Sequence, residues 1–447
     1  MTDTILLVLI VAGTLAGGAW ISVRTRHLSH PVALIAASFF LPLGAALLRR
    51  SDLQAPRWSY ETYVLVAESY LLWLVFPSLA LALWGAPDRF RFGRESLRSS
   101  FGTPVFLWYA RLLAMATIAA TLVQNYLVSG LPILLADPEL AYQFHTTTVP
   151  GLQILPRAGF AACALLHFAF YLRRRPLDLV LLALVFLSPL TKLARIDLML
   201  SAVTLLLMNV HFPVVRPGRR TAVAAVLLAA AFVYGMIELG NQRINRFGKY
   251  TVSYADAIGF RGYRGPGETI AVAYGYFALS FENLDRFVKA TGGYRTGGYV
   301  SFNPLFNTFF FVNRLTGGKY PGPESIVERR NPVGPMATVE TSLANFYLDF
   351  GAGLAWVPML AYMGAWIWLY LRRRRSVASA TAYCLYSAAM MLSAFQGVVT
   401  APFIYQGMAL GLLPLVLQNR LPLRLPGGRP AVSAQGETGF RAGAEPG

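Results

Sequence analysis

Apolar runs, most close to twenty residues long and separated by short links dense in arginine, dominate the chain. A bilayer's hydrocarbon core is about 30 Å thick, which a helix crosses in about 20 residues, so each run predicts a membrane-spanning helix. Eleven such stretches are readable, at residues 5–23, 32–48, 60–84, 103–127, 157–172, 177–190, 197–214, 221–239, 347–370, 378–396 and 402–418, the sixth being short. When consecutive spans alternate in direction, the links RTR (24–26), RFRFGRESLR (89–98), RRR (173–175), RPGRR (216–220) and RRRR (372–375) fall on one side. Cytoplasmic links carry the excess of Lys and Arg, so the expected topology has the N-terminus external and the C-terminus cytoplasmic. One link resists this order: LRRSDLQAPRW places Arg49, Arg50 and Arg57 outside.

The expected organisation is a block of N-terminal spans in 1–240 with an external loop at 129–156, then a large external segment at 241–343. C-terminal spans follow in 344–418, and a Gly/Pro/Ala-rich cytoplasmic tail at 419–447 has the composition of a disordered segment. The external segment contains the aromatic run TIAVAYGYFALSFENLDRF (269–287), too short and too polar at its end to span, which predicts a short helix lying on or against the membrane. No internal repeat is visible, so the inverted-repeat signature of many transporters is missing.

Composition agrees with the pattern. The 447 residues are 55% hydrophobic and 13% charged, with a mean hydropathy of +0.49, more apolar than a soluble protein of this length can hide in its core. The fold class is therefore an all-α polytopic membrane protein with about eleven transmembrane helices, within a range of ten to fourteen. A net charge of +18 raises the question of nucleic acid, but the arginines cluster between apolar runs as the topology rule requires. Cys163 and Cys384 both lie inside apolar segments, so neither a disulfide framework nor a thiolate metal site is supported. The first run follows MTD and precedes Arg24 and Arg26, the reverse of a signal peptide's charge order, and reads as a retained span.

Candidate chemistry concentrates at the external ends of the spans. PLTKLARIDLML puts Lys192, Arg195 and Asp197 in a short external link, where cations are normally scarce. Two readings stand: snorkelling side chains with Asp197 as local partner or cap, or an anion-binding pair at the membrane face. External Arg243, Arg246, Arg261, Arg264, Arg314, Arg329 and Arg330 are solvated loop charges or converge on that same anion. Glu68 lies within the third span, where a carboxylate without a partner is costly, whereas Arg111 near an inner end can snorkel. In TVETSLANFYLDFGAGLAW, a helix from Thr341 onward sets Thr341, Asn345 and Asp349 on one face, beside Glu340 and Tyr347. That stripe is either a capped helix start with glycines for close packing, or one wall of a site. The glycines of GFRGYRGPGETI follow no strand of a βαβ unit, and DFG at 349–351 has no kinase loops with it, so nucleotide readings fail for both. His145, His167 and His211 show no metal-ligand spacing, and no cofactor is implied.

Three places, TKLARIDLML, YGYFALSFENL and TSLANFYLDFGAGLAW, make the chain resemble the oligosaccharide repeat unit polymerases, the Wzy class of O-antigen polymerases, over roughly 190–370. The resemblance implies a metal-independent GT-C-type glycosyltransferase of the bacterial inner membrane whose large external loop carries short helices. It implies that undecaprenyl-pyrophosphate-linked glycans are the substrates and membrane lipid the surroundings, with a chain-length regulator and a flippase as partners and no nucleic acid. On that basis Asp349, Glu340 and Arg195 are the expected catalytic residues, with Glu68 and His145 as further candidates for the base. Lys192, Arg195, Arg243, Arg261, Arg264 and Arg329 are expected at the pyrophosphate, and Tyr347, Asn345, Tyr274 and Glu68 at the sugar, with Phe281 a further stacking ring. An O-antigen ligase-like transferase shares the architecture. A lipid-linked oligosaccharide flippase is the alternative of another class, and it is expected to bury several charges along its spans.

Overall fold

The computed structural model describes residues 29–84, 94–127, 154–192, 194–214, 253–265, 268–307, 341–394 and 397–420, with scattered positions between 10 and 21 and at 152, 234 and 235. The span expected at 221–239 and the tail beyond 420 lie almost wholly outside these residues. Among the described residues the secondary structure is helical, with one isolated antiparallel bridge between Ser51 and Phe260.

Helix α1 (Pro31–Leu47) opens with proline in its first turn, and His30 Nδ1 accepts a hydrogen bond from Val32 N at 3.2 Å. Helix α2 runs from Tyr60 to Trp84; Ser59 caps it by accepting from Thr62 N, and Glu61 faces the positive end of its dipole. Both helices contain a π turn, Ala36–Phe40 and Leu71–Val75. These widened turns lie beside interlocked rings, Phe39 edge-on to Trp73 at 5.0 Å and Phe40 edge-on to Tyr70 at 5.4 Å.

A short α3 (Arg94–Phe101) precedes α4 (Pro104–Leu127), α5 (Gly159–Arg173), α6 (Pro176–Leu187), a 3₁₀ turn at Ser188–Lys192, and α7 (Arg195–His211). In α4, Arg111 Nε pairs with the buried Asp178 of α6 at 2.7 Å, so this cation has a protein partner and does not depend on snorkelling. Helix α5 is buried from Gly159 to Ala169, the pattern of a helix enclosed on all sides. Helix α11 (Val377–Met391) is equally enclosed, with α10 (Trp356–Arg372) and α12 (Pro402–Arg420) packed on it. Outward faces of α2, α4 and α6 instead show Leu71, Phe76, Trp108, Leu112, Leu122, Val180 and Leu184 to the surroundings, an apolar belt suited to lipid. Three helices, Tyr60–Ala80, Pro104–Leu127 and Val377–Ala394, are long and apolar enough to cross a membrane, and Pro31–Leu47, Gly159–Arg173 and Pro402–Gln418 are shorter apolar helices.

Two expectations change. The stretch 347–370 is two helices, α9 (Ser342–Phe350) and α10, parted by Gly351 at φ 69° and ψ 179°. That backbone region is open essentially to glycine alone, so the helix stops there. The aromatic run of the external segment forms α8 (Thr269–Thr291), which does not lie on a surface: it packs against α1, α2 and α9 and buries Glu282, Asn283 and Asp285. Its polar residues are hidden because partners for them arrive from the link between α1 and α2.

Candidate active site

One end of the bundle, bearing Ser59, Gln124, Lys192 and Pro402, is the end expected to be external; we call it the outer end. There the 49–62 link is strapped onto α8. Glu282 accepts from Ala55 N (3.0 Å) and Trp58 Nε1 (3.0 Å) and pairs with Arg49 Nη1 (3.2 Å), whose guanidinium lies 4.4 Å from the Trp58 ring. Burial pushes the Glu282 carboxyl up, opposed by these three partners. Asp285 accepts from Ser59 N (2.6 Å), Thr62 Oγ1 (2.9 Å) and Lys289 Nζ (2.5 Å). Burial works to raise its carboxyl, yet these donors together hold it below the usual range. Of the three arginines of the resisting link, Arg49 thus has a carboxylate partner, Glu282 of α8. A cavity of about 580 Å³ opens beside the strap, lined by Gln54, Glu282, Arg286 and Lys289 among others.

The same strap occupies Tyr274, whose hydroxyl donates to Gln54 Oε1 at 2.6 Å and accepts from Arg50 N at 2.8 Å, leaving the ring 8% exposed. Phe281 is fully buried against Phe39. Arg261 pairs with Asp52 at 2.8 Å, and Arg264 pairs with Asp256 and, at 3.4 Å, Glu268. The Arg264 hydrogen bond holds the Asp256 carboxyl below its usual value. Both arginines are exposed and already matched by carboxylates on the flank of α8.

Asp349, Asn345 and Tyr347 project from α9 into a second cluster. Asp349, 2% exposed, accepts from Val300 N at 3.1 Å and from Thr296 Oγ1 and Ser301 N. Thr296 N and Gly297 N in turn donate to the carbonyls of Leu348 and Asp349. The carboxylate is therefore the anchor of the loop 294–302. Asn345 Nδ2 donates to Thr400 Oγ1 at 2.7 Å. The Tyr347 hydroxyl donates to Glu61 Oε2, and Arg295 lies 4.6 Å above its ring, so that ring is 1% exposed. Glu61 itself is exposed. It reads in the sequence as a first-turn acid of α2, which hid its second neighbour.

The TKLAR cations form a third cluster. Lys192 is 7% exposed and donates to Gln124 Oε1 of α4. Burial pushes its ammonium down to about 8, with Asp197 opposing and Arg157 adding to the shift. Arg195 Nη1 donates to the Tyr276 hydroxyl of α8, with the guanidinium 4.8 Å from that ring. Arg157, two residues before α5, lies 4.6 Å from the Phe403 ring. It sits in QILPRAGF at the edge of an apolar run, and the rule that flagged Lys192, cations on the external side, applies to it equally. Among the described residues no carboxylate is in ion-pair contact with Arg157, Lys192 or Arg195.

The second and third clusters meet at the start of α12. Thr400 holds Asn345, and three residues on, Phe403 carries Arg157; three residues of chain reach at most about 11 Å. Glu68 stands apart on α2, half-buried, its Oε2 with no hydrogen-bond partner. Glu340, Arg243 and Arg329 lie outside the described residues, as do His145, Arg246, Arg314 and Arg330. Among the described residues no group of three or more His, Cys, Asp or Glu could hold a metal ion. Neither a family model, nor a curated protein, nor a solved structure matches this chain.

Proposed function

We propose that the protein is a membrane glycosyltransferase that polymerises undecaprenyl-pyrophosphate-linked oligosaccharide repeat units at the outer face of the inner membrane. The observation that carries this reading is the surplus of cation at the outer end: Arg157, Lys192 and Arg195 have Asp197 as the carboxylate of their link and no ion pair among the described residues. A pyrophosphate leaving group develops negative charge at the membrane surface, and fixed cations stabilise it more in the transition state than in the ground state. Arg157 and Arg195, each stacked on an aromatic ring, hold their forks in place for a phosphoryl oxygen.

In the reaction, the bond from the anomeric carbon to the pyrophosphate oxygen breaks and its electron pair leaves with the pyrophosphate. The acceptor hydroxyl forms the new glycosidic bond and gives up its proton. Glu61 is suited to take that proton, because it is exposed and one oxygen is positioned by Tyr347. Asp349, fully engaged with its loop, acts as a positioning residue. The test is polymerisation of purified lipid-linked repeat units by the purified protein. Arg157→Ala, Arg195→Ala and Glu61→Gln are each expected to lower turnover by roughly a hundredfold or more, with an unchanged unfolding temperature. Wild-type protein that leaves repeat units unjoined under these conditions refutes the proposal.

A further inference from the structure

The opposite end of the bundle holds buried cations that the proposed reaction does not use. Helix α1 starts there, α7 and α10 end there, and α11 begins there. Arg373, just after α10, is 2% exposed, with its guanidinium 3.5 Å above the Tyr370 ring. Its Nη1 donates to the Tyr370 carbonyl, while its Nη2 is buried with no hydrogen-bond partner. Arg374 buries Nε and Nη2 in the same state, and the buried Tyr370 hydroxyl lies beside the Arg373 guanidinium. Tyr370 packs at 4.6 Å from the His30 ring and 5.5 Å from the Tyr383 ring, and Tyr383 at 5.9 Å from His211. Among the described residues neither arginine makes an ion pair.

A buried guanidinium with idle donors and no counter-charge is strongly unfavourable unless an anion completes it. Guanidinium and phenol donors on neighbouring residues match a tetrahedral anion with multiple acceptor oxygens better than they match one carboxylate. The position, at the arginine-rich ends of apolar helices, is where basic pockets between spans meet lipid headgroups. We infer that Arg373, Arg374 and Tyr370 form a binding site for a phosphoryl anion at this end of the bundle, supplied either by a phospholipid headgroup or by free phosphate.

The test is thermal unfolding of the full chain, purified in a non-ionic detergent, with two probes: inorganic phosphate and dihexanoyl-phosphatidylglycerol below its micelle concentration. A saturable rise in unfolding temperature with at least one probe is expected for the wild type. A lipid-only response identifies the headgroup as the source, and a phosphate response identifies the free anion. Arg374→Gln, at a half-buried position that tolerates an amide, is expected to raise the half-saturating concentration by about tenfold. Arg372→Gln, exposed and stacked on Trp368, is expected to leave it unchanged. No response to either probe overturns the inference, and so does an Arg374→Gln protein that titrates like the wild type.

Discussion

Replacing Asp349 distinguishes a residue that holds the site from one that performs its chemistry. The carboxylate is 2% exposed and accepts from two backbone amides, Val300 and Ser301, and from Thr296 Oγ1. Asp349→Ala leaves those amides without their acceptor, at roughly 1–3 kcal/mol each, and frees the hydroxyl, so the loop 294–302 is expected to lose about 4 kcal/mol. At about 1.4 kcal/mol per tenfold, the open population of the loop rises by about three orders of magnitude. The loop carries its own reporter, because Arg295 is a tryptic site whose side chain is tied to the Gly292 and Tyr294 carbonyls and laid over Tyr347. Where opening is fast relative to cleavage, the rate of cutting follows the open population. Timed trypsin digestion of the detergent-purified protein should therefore show cleavage after Arg295 accelerated by a hundredfold to a thousandfold in Asp349→Ala. Asp349→Asn, which keeps one acceptor oxygen but turns an amide toward a donor, should fall between the two. A variant that loses polymerisation while Arg295 is cut at the wild-type rate would refute the anchoring role and return Asp349 to the chemistry.

Other outcomes follow from the same contacts. Glu282→Ala strands Arg49, the Trp58 indole and the Ala55 amide, and is expected to cost about 3 kcal/mol in chemical unfolding; adding Arg49→Met should return part of that loss. Gly351→Ala forces a side chain into a glycine-only backbone region 2.9 Å from Arg295 Nε, which should cost about 1–3 kcal/mol and speed tryptic cutting at Arg295. Lys192 is lowered to about 8 from 10.5, so the unfolded chain holds the extra proton between those values and stability should rise with pH across that window. Below about 8 the contribution is flat. Lys192→Met should remove this rise, and turnover that depends on the ammonium should fall as pH climbs through about 8, as read from paired unfolding and activity profiles.

The helices of the membrane body were legible because their signal is local: α4, and α11 with the 3₁₀ turn that extends it to Ala394, fall within a residue or two of the runs 103–127 and 378–396. The break at Gly351 was not, since the stripe Thr341, Asn345, Asp349 runs in helical register up to it and the glycines equally suit close packing. Helix α8 misled for a different reason. Glu282 and Asp285 look like the wet end of a surface helix, and what buries them is a link more than 220 residues earlier in the chain. Lys192 and Arg195 stood out through a rule about sides of the membrane, which needs no contact information. Glu61 and Arg295 acquire meaning only through Tyr347, which no spacing in the sequence connects to them.

The strap between Arg49 and Glu282 also bears on how the chain is made. The two residues are 233 positions apart, and at about 5–20 residues per second a ribosome needs between about 10 and 50 s to deliver the second after the first. Throughout that interval α1 and α2 wait with Trp58 and Arg49 undocked, and the hairpin is completed only when α8 arrives. Nascent chains stopped before residue 282 should leave the link between α1 and α2 open to protease, and full-length chains should protect it.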